Sequence, residues 1–312
     1  MTPVADRIRA RARDLGFVAC GITDPRPSIR GAALDDWLAK GYGGTMRYLH
    51  RQARRRKDPQ SIVPEARSVV VVLDNYYYPE NAEDAAAPRI AKYARGSDYH
   101  DVMGGRLERL ADALRQEGAT VARVYADAGP VPERELAERA GLGWIGKNTM
   151  LVRPGLGSHF FIGSVFTDLE LPADPPFPTD HCGSCTRCLD ACPTEAFVAP
   201  RVLDATRCIS YLTIEQKGPI PDELADRLEG WAFGCDICND VCPWNVKFAE
   251  ASGVPEYESQ GHLRNVTAES LDGLDDAAFR ARYAGTPLER PGLAGVRRNL
   301  SAVAGRRMRA LP

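Results

Sequence analysis

The spacing of the cysteines constrains this chain more than any other feature of its sequence. Eight of the nine cysteines lie in the second half, and the first four form the run Cys182-x2-Cys185-x2-Cys188-x3-Cys192-Pro193. This is the spacing of ferredoxins with two [4Fe–4S] clusters, in which three close thiolates bind one cluster and the fourth, before a proline, reaches the other. The sequence therefore predicts an iron–sulfur module with two clusters.

The second part of the array repeats the end of this run. Pro243 follows a Cys-x2-Cys-x3-Cys segment, and Cys208 is available as a further ligand on a longer loop. By the crossing rule of two-cluster modules, each run lends one ligand to the other cluster. We therefore expect two sets of four thiolates: Cys182, Cys185, Cys188 and Cys242 for one cluster, and Cys192, Cys208, Cys235 and Cys238 for the other.

Zinc is the alternative metal, because Cys-x2-Cys pairs also build tetrahedral zinc sites. Three cysteines at consecutive x2 spacing with a closing Cys-Pro are rare in zinc motifs, so the pattern favours iron–sulfur. Cys20 lies apart from the array in the apolar stretch 17–22. We expect it to be an inert core thiol.

The cysteine content also bears on location. No stretch approaches the ~18 apolar residues that a membrane span requires, and the N-terminus is a charged amphipathic segment without a signal-peptide core. We therefore expect a cytoplasmic protein with no membrane contact. Thiols stay reduced in the cytoplasm, so nine cysteines indicate metal binding rather than disulfides.

Charge limits the ways in which a nucleic acid could bind. The formal net charge of the 312-residue chain is −2, so a polyanion would have to be held by local basic patches. One patch is Arg47, Arg51, Arg54, Arg55, Arg56 and Lys57, and the other is Arg290, Arg297, Arg298, Arg306, Arg307 and Arg309. A solvated helix face explains each patch equally well.

Helical and strand-like segments alternate along the first 170 or so residues. The predicted helices are 3–15, 33–38, about 107–114 and 132–140, and the predicted strands are 17–22, 69–73, 120–125 and 160–166. This alternation predicts a layered α/β domain. A proline-rich linker at 171–178 then leads into the cysteine array. We expect an α/β domain over 1–178, an iron–sulfur module over 179–248 and a C-terminal tail over 249–312 with a short basic helix near 292–309.

Iron–sulfur clusters pass single electrons, and the large N-terminal domain is expected to hold the acceptor. No Gly-x-Gly-x-x-Gly opens a helix after the first strand, so a dinucleotide site is not supported. The glycine-rich segment 141–148 follows a predicted helix and is open to two interpretations. It is either a helix C-cap with a turn or a loop that lets backbone amides and Lys147 approach a cofactor.

Two further segments carry candidate chemistry. Asp127 comes directly after a predicted strand, where open α/β sheets place active-site residues, although a turn-capping role is the simpler interpretation. Asp98-Tyr99-His100 is typical of a helix N-cap. It narrowly misses the Asp-x-His-x-x-Gly pattern of histidine-ligated corrinoids, so that mode of cobalamin binding is not indicated.

Several ordered segments together resemble the epoxyqueuosine reductase family. They are 46–51, 94–100, 127–134, 140–147, the cysteine array, 208–213 and 234–244. The resemblance spans about residues 1–247 and continues loosely to about 305. Many members of the family continue into a longer, HEAT-like helical region, of which 296–304 would be the beginning.

The resemblance implies a cobalamin-dependent reductase that converts epoxyqueuosine to queuosine at the wobble position of tRNA. Its N-terminal domain would resemble the cobalamin domain of reductive dehalogenases. Electrons from an external low-potential donor would pass through the two clusters to base-off cobalamin, giving cob(I)alamin. Asp127 matches the general acid of the family, and partial burial is expected to raise its pKa and keep it protonated. A monomer is expected.

The resemblance also implies binding residues. The expected corrin contacts are Arg51, the backbone at Ala91, Lys147, Asn148, Ser210 and Asp236, with Asp127 close to the cobalt. Arg134 is expected near the substrate. The basic stretch 51–57, Lys217 and the C-terminal arginines are candidates for tRNA phosphate contacts.

Three other functions compete with this hypothesis. A reductive dehalogenase would share the cofactors, but such enzymes are typically exported behind a twin-arginine signal, which this N-terminus lacks. A two-cluster electron-transfer protein would carry the cysteine array without a corrin. A flavin site in the α/β domain is the third possibility.

Overall fold

The computed structural model describes residues 3–80, 88–264 and 266–304. Its strands are β1 (Ala19–Thr23), β2 (Ser68–Asn75), β3 (Arg89–Ile90), β4 (Ala122–Ala126), β5 (Trp144–Ile145), β6 (Leu151–Val152), β7 (Phe160–Thr167), β8 (Phe197–Ala199), β9 (Val202–Leu203) and β10 (Trp231–Phe233). Four of them form the central sheet, in the order β1-β2-β7-β4, and every pair in it is antiparallel.

The helices and turns connect these strands. The helices are α1 (Pro3–Asp14), α2 (Gly31–Ala39), α3 (Arg47–Lys57), α4 (Tyr99–Gln116), α5 (Glu133–Arg139), α6 (Arg187–Asp190), α7 (Ile209–Ile214), α8 (Asp222–Ala225), α9 (Ile237–Asp240), α10 (Pro243–Phe248), α11 (Gly261–Arg264), α12 (Asp276–Tyr283) and α13 (Gly292–Val303). Single 3₁₀ turns lie at Pro59–Ser61, Lys92–Ala94, Ala205–Arg207, Pro255–Tyr257, Glu269–Leu271 and Pro287–Glu289.

The valine run at 69–72 explains the centre of the sheet. β-branched residues favour strands, and all eight residues of β2 are buried. Val70 and Val72 pack with α1 and α4 on one face, whereas Val69 and Val71 pack with α5 on the other. Helices therefore cover both faces of the sheet, and the predicted layered α/β class is confirmed.

A second core joins distant parts of the chain. It contains Ile90 and Ala91 from the N-terminal half, Trp231 beside the cysteine loops, and residues of the C-terminal helices such as Phe279 and Leu300. Strand β3 pairs in parallel with β10. Residues on both sides of the predicted boundaries near 178 and 248 thus share one core, and the boundaries themselves stay predictions.

A buried ion pair ties the C-terminal segment to the sheet. Asp74 of β2 has no solvent exposure and contacts Arg106 of α4. The Tyr257 hydroxyl donates to Asp74 Oδ2 at 2.6 Å. Burial raises the pKa of Asp74, while Arg106 and Tyr257 favour its ionised form. Asp74, Arg106 and Tyr257 thus connect β2, α4 and the 3₁₀ turn Pro255–Tyr257, which lie far apart in sequence.

No helix in the described part of the chain is both long and apolar enough to cross a membrane.

Arg106→Met should lower the free energy of unfolding by about 3–5 kcal/mol, because it leaves a buried carboxylate without its cation. Urea unfolding followed by circular dichroism measures the change. Arg7→Met is the control, since it removes only a surface pair with Glu117 and should leave the urea midpoint almost unchanged. Equal midpoints for Arg106→Met and the wild type would contradict the role assigned to this pair.

Candidate active site

The two cysteine runs are built in the same way. In each run a four-residue helix, α6 or α9, leads directly to the Cys-Pro pair, and these two helices pack against each other. All eight cysteines of the array are free thiols. The local repeat seen in the sequence thus becomes a pair of facing loops.

The thiols of the array interact with one another. Burial and the charges of three other thiols raise the pKa of Cys188 to about 11; those thiols belong to Cys242, Cys182 and Cys185. Burial also raises the pKa of Cys238, and the charges of Cys208, Cys192 and, more weakly, Cys188 add to the shift. Cys235 in turn interacts with Cys238 and Cys208. The division of the thiols between two clusters stays a prediction.

The hydrogen-bond donors around the thiols are suited to iron–sulfur clusters. Trp144 Nε1 lies 3.4 Å from Cys182 Sγ, and the Ala196 amide lies 3.3 Å from Cys192 Sγ. Hydrogen bonds to sulfur adjust the potentials of iron–sulfur clusters. Among the described residues, no three metal-ligating side chains converge closely enough to hold a single ion. A [4Fe–4S] cluster has a separate thiolate on each iron, so its cysteines need not meet at one point.

Asp127 lies at the end of the edge strand β4, in a strained turn. Its φ is +56°, and the Ala128 amide donates to the Ala126 carbonyl at 2.5 Å. A γ-turn with positive φ at its central residue is rare and strained, and such strain collects at functional sites. The sheet is antiparallel, so the rule for open parallel sheets is not the reason for this position.

The first turn of α4 supplies the neighbours of Asp127. The Tyr99 hydroxyl donates to Asp127 Oδ2 at 2.5 Å, and His100 Nε2 is 3.7 Å from the same oxygen. His100 Nδ1 lies 2.7 Å from Asp98 Oδ1, which also accepts from the His100 amide. The Tyr99 ring stacks between Phe161 and the His100 imidazole. The predicted N-cap at Asp98 is therefore present, and it also orients a polar cluster.

The sequence did not indicate that Tyr99, His100 and Glu133 surround Asp127. The available signal was the triplet 98–100, which by itself indicated a helix N-cap and a near match to a cobalt-binding motif. Tyr99 and His100 reach Asp127 across 27 or more positions in the sequence, and the pairing of β4 with β7 brings them together. Glu133 is closer in sequence, but its contact depends on the turn.

The electrostatics of the cluster differ from our expectation. We expected a raised pKa for Asp127, and this was wrong: the His100 imidazole holds that pKa below its usual value, although burial opposes the shift. The nearby carboxylates of Asp127 and Asp98 stabilise the imidazolium and raise the pKa of His100 to about 9. Burial, together with the Asp127 charge, raises the pKa of Glu133 to about 8. At neutral pH the protons therefore reside on His100 and Glu133.

The side chain of Asp127 is 64% exposed, yet burial by the surrounding chain still opposes its charge. Burial raises the pKa of Tyr48 on α3, and the charges of Glu215 and, more weakly, Asp127 add to the shift. Tyr48 thus lies within electrostatic reach of both Asp127 and Glu215, so residues from both halves of the chain meet near the acid cluster.

The residues predicted to bind a corrin lie on several different elements. Arg51 is exposed on α3, one turn beyond Tyr48, and Ser210 is half-buried on α7. The Ala91 amide already donates to the Phe233 carbonyl at 2.9 Å, and Asp236 accepts from the neighbouring amide of residue 92. Their contact with a corrin stays a prediction.

The glycine-rich segment faces the cysteine loops. Gly141 has φ +72° and caps α5, and β5 and β6 then form a hairpin. Lys147 Nζ donates to the carbonyls of Gly183 and Cys185 at 2.7 and 2.9 Å, and the buried Asn148 lies 3.4 Å from the Cys238 carbonyl. The segment therefore contacts both cysteine runs.

Arg134 connects the loop of Asp127 with this segment. Its guanidinium is exposed and donates to the Thr149 carbonyl at 2.6 Å. The contact of Arg134 with a substrate stays a prediction.

The two basic patches differ in their availability. Arg47, Arg51, Arg54 and Arg55 are exposed along α3 and recur at helical spacing; we call them the α3 arginine stripe. Lys217 is also exposed.

The described C-terminal arginines, in contrast, are engaged within the protein. Arg298 donates to the Leu212, Gln216 and Gly218 carbonyls. Arg297 donates to backbone carbonyls of 271 and 274, and Arg290 pairs with Glu215. Arg298 is half-buried in these contacts, whereas Arg290 and Arg297 stay exposed, and their contact with phosphates stays a prediction. Residues 306, 307 and 309 lie outside the described residues.

Two family models match the chain. One, described as a 4Fe-4S double cluster binding domain, covers residues 181–245, and the other, described as epoxyqueuosine reductase QueG, DUF1730, covers 56–128. Curated relatives match over nearly the whole chain. An epoxyqueuosine reductase of Xanthomonas campestris pv. campestris is 43% identical over 97% of this chain and 87% of its own length. One of Cellulophaga algicola is 40% identical over 95% and 96%.

Solved structures of epoxyqueuosine reductases are also similar to this chain. An epoxyqueuosine reductase crystallised with an epoxyqueuosine-modified tRNA-Tyr stem loop superposes with a TM-score of 0.85 at 29% identity, covering 96% of this chain and 80% of that one. A Bacillus subtilis epoxyqueuosine reductase with its catalytic aspartate loop swung out of the active site gives 0.81 at 28%, with the same coverage. A catabolic reductive dehalogenase gives 0.50 at 20%, covering 99% and 41%, and shares the fold.

Asp127→Asn should lower the pKa of His100 from about 9 by at least about 1 unit, because it removes a carboxylate that stabilises the imidazolium. An NMR titration of the His100 ring protons measures the shift. Asp112→Asn removes a charge from the exposed side of the same helix and should leave the His100 titration unchanged. A His100 pKa unaffected by Asp127→Asn would contradict the cluster described here.

Proposed function

This chain belongs to the epoxyqueuosine reductase family, and we propose that it reduces epoxyqueuosine to queuosine at the wobble position of tRNA. The resemblance seen in the sequence is thereby confirmed at the level of the family. The observation that carries the proposal is the acid cluster around Asp127, in a chain that also contains a two-cluster iron–sulfur module.

The stoichiometry explains why both parts are needed. Converting an epoxide to an alkene breaks two C–O bonds, forms one C=C bond and releases the oxygen as water, so each turnover consumes two electrons and two protons. A [4Fe–4S] cluster passes one electron at a time. The double-cluster module of residues 181–245 supplies the electrons, and the acid cluster supplies protons to the leaving oxygen.

We assign the thiolates to the clusters as the spacing predicts. The neighbourhoods of Cys188 and Cys238 support this division. One cluster would be held by Cys182, Cys185, Cys188 and Cys242, and the other by Cys192, Cys208, Cys235 and Cys238.

Cobalamin is the cofactor that we propose beside the acid cluster, in its base-off form. When bound, it would supply a strongly reducing nucleophile to the substrate. The exposed carboxylate of Asp127 and the nearby Tyr48 on α3 support this place, because polar groups from different elements could contact one large molecule there. The residues that would hold it are Arg51, Ala91, Asp127, Lys147, Asn148, Ser210 and Asp236.

Asp127 would donate the proton to the epoxide oxygen, as a general acid within hydrogen-bond reach. Because its own pKa is low, it has to be reloaded. His100 is the nearest group that holds a proton at neutral pH, with Nε2 at 3.7 Å from Asp127 Oδ2. Asp98 would keep the imidazole in the correct orientation, and Tyr99 would fix the acid oxygen through its hydroxyl. Arg134 would contact the substrate.

The tRNA would lie across the α3 arginine stripe. Arg56, on the inner side of the same helix, donates to the Gly129 carbonyl at 3.2 Å, so α3 also supports the loop of Asp127. A phosphate backbone on the stripe would therefore lie next to the acid. Lys217 is a further exposed cation for this role.

We further propose a monomer that works in the cytoplasm with an external low-potential electron donor. The nine free thiols suit a reducing compartment. A donor is required because the clusters must be reduced again after each turnover.

Asp127→Asn should keep its clusters and lose conversion by at least about 100-fold, because general acid catalysis contributes 10²–10⁴. The measurement is anaerobic reconstitution, an iron count near 8 and mass spectrometry of the nucleoside from epoxyqueuosine tRNA. Conversion at the wild-type rate by Asp127→Asn would contradict the assignment of Asp127 as the general acid. A protein that binds iron but converts nothing in either form would instead be an electron-transfer protein.

Replacing Arg54 and Arg55 together by glutamine should weaken tRNA binding and lower the slope of log K against log[salt] by about 1–2, since each lost phosphate contact releases about one counterion fewer. Filter binding between about 50 and 200 mM salt measures the slope. Arg67→Gln removes an exposed arginine outside the stripe and serves as the control. An unchanged slope in the double variant would exclude the stripe as the phosphate surface.

A further inference from the structure

The turn that carries Asp127 is strained, and we propose that Glu133 is the positioning residue that holds it in place for catalysis. The consequence for catalysis rests on the proposed function. The effect on the turn does not, because it can be measured in the protein without substrate.

Glu133 accepts a hydrogen bond from the backbone amide of Asp127, the strained residue. Its Oε1 atom lies 2.5 Å from the Asp127 amide, six positions earlier in the chain. Asp127 has φ +56°, a conformation that residues other than glycine rarely adopt. Such a conformation persists only where surrounding contacts determine it. The Glu133 bond is made to the backbone of this residue itself.

The rest of the loop is anchored separately. Val131 is buried in the core under the sheet, and Arg56 donates to the carbonyls of Gly129 and Val131. At Gly129 a Cβ atom would lie 2.3 Å from the Tyr125 ring, so the chain passes close to the strand here. These contacts fix residues 129–131 and leave the Asp127 backbone to Glu133.

Two contacts therefore divide the positioning of the acid. Tyr99 binds the carboxylate of Asp127, whereas Glu133 binds its amide. Without the Glu133 contact, the turn could relax to negative φ, and the carboxylate would move away from Tyr99 and His100. We expect such a loop to open more often.

The protonation of Glu133 suits this role. Burial and the Asp127 charge raise its pKa to about 8, so at neutral pH it is mostly uncharged. A neutral carboxyl still accepts an amide proton through its carbonyl oxygen and places no second negative charge beside Asp127. The facing cations are Arg134 and Arg56, which limit the shift.

Hydrogen exchange tests the effect on the turn directly. In the cluster-loaded protein without tRNA, Glu133→Ala should speed exchange of the Asp127 and Ala128 amides by about tenfold, because a lost bond increases local opening. Glu133→Gln keeps an acceptor oxygen and should stay near the wild type. Glu138→Ala, a matched change on the same helix whose carboxylate contacts Arg30 and the Ile145 amide, should not alter this segment. Iron content and circular dichroism identify variants that do not fold.

Steady-state kinetics tests the effect on catalysis. Glu133→Ala should lower kcat by roughly 10–100-fold with KM for tRNA within about twofold, because a misplaced acid affects the chemical step and not uniform binding. Glu133→Gln should restore kcat to within about threefold of the wild type. A Gln variant as slow as the Ala variant would overturn the positioning role and make Glu133 a proton donor.

The two measurements separate the possible failures. Wild-type exchange of the Asp127 and Ala128 amides in Glu133→Ala would overturn the inference whatever the enzyme's activity. If the wild-type protein converts no epoxyqueuosine while the exchange result holds, the proposed function fails and the contact between Glu133 and the turn stands.

Discussion

The buried contact between Lys92 and the second cysteine run connects the two halves of this protein. Lys92 is only 6% exposed, and its Nζ lies 2.6 Å from Asp240 and 3.9 Å from Asp236. Burial opposes a charge on Lys92, but the two carboxylates outweigh it and raise its pKa. Asp236 and Asp240 lie among the thiols of the array, so a cation is buried beside the groups that bind the clusters. Removing one partner of such a group would leave an uncompensated charge in the core.

The same segment then leads to the acid cluster. Seven and eight residues after Lys92, the first turn of α4 presents Tyr99 and His100 to Asp127. The segment that contacts the second cysteine run thus leads directly to the groups that hold the proton. A redox enzyme that reduces an epoxide needs electrons and protons at one place, and here the segment 92–100 joins the two supplies.

The acid cluster divides its tasks among neighbouring groups with different pKa values. Asp127 is ionised, whereas His100 and Glu133 hold protons at neutral pH. Environments that separate the pKa values of neighbouring titratable groups in this way are typical of acid–base sites. Strain at Asp127 is part of the arrangement, because a relaxed turn would point the carboxylate elsewhere.

Local sequence determined much of this protein: the valine run of β2, the amphipathic helices, the N-cap at Asp98 and the spacing of thiols around a cluster. All of these depend on residues close in the chain. Only the tertiary structure decided that β3 pairs with β10, that His100 lowers the pKa of Asp127, and that Arg298 donates to backbone carbonyls. The physical reason is that a two-residue strand has no periodicity to detect. A pKa or the availability of a charge likewise depends on groups that folding brings from other elements.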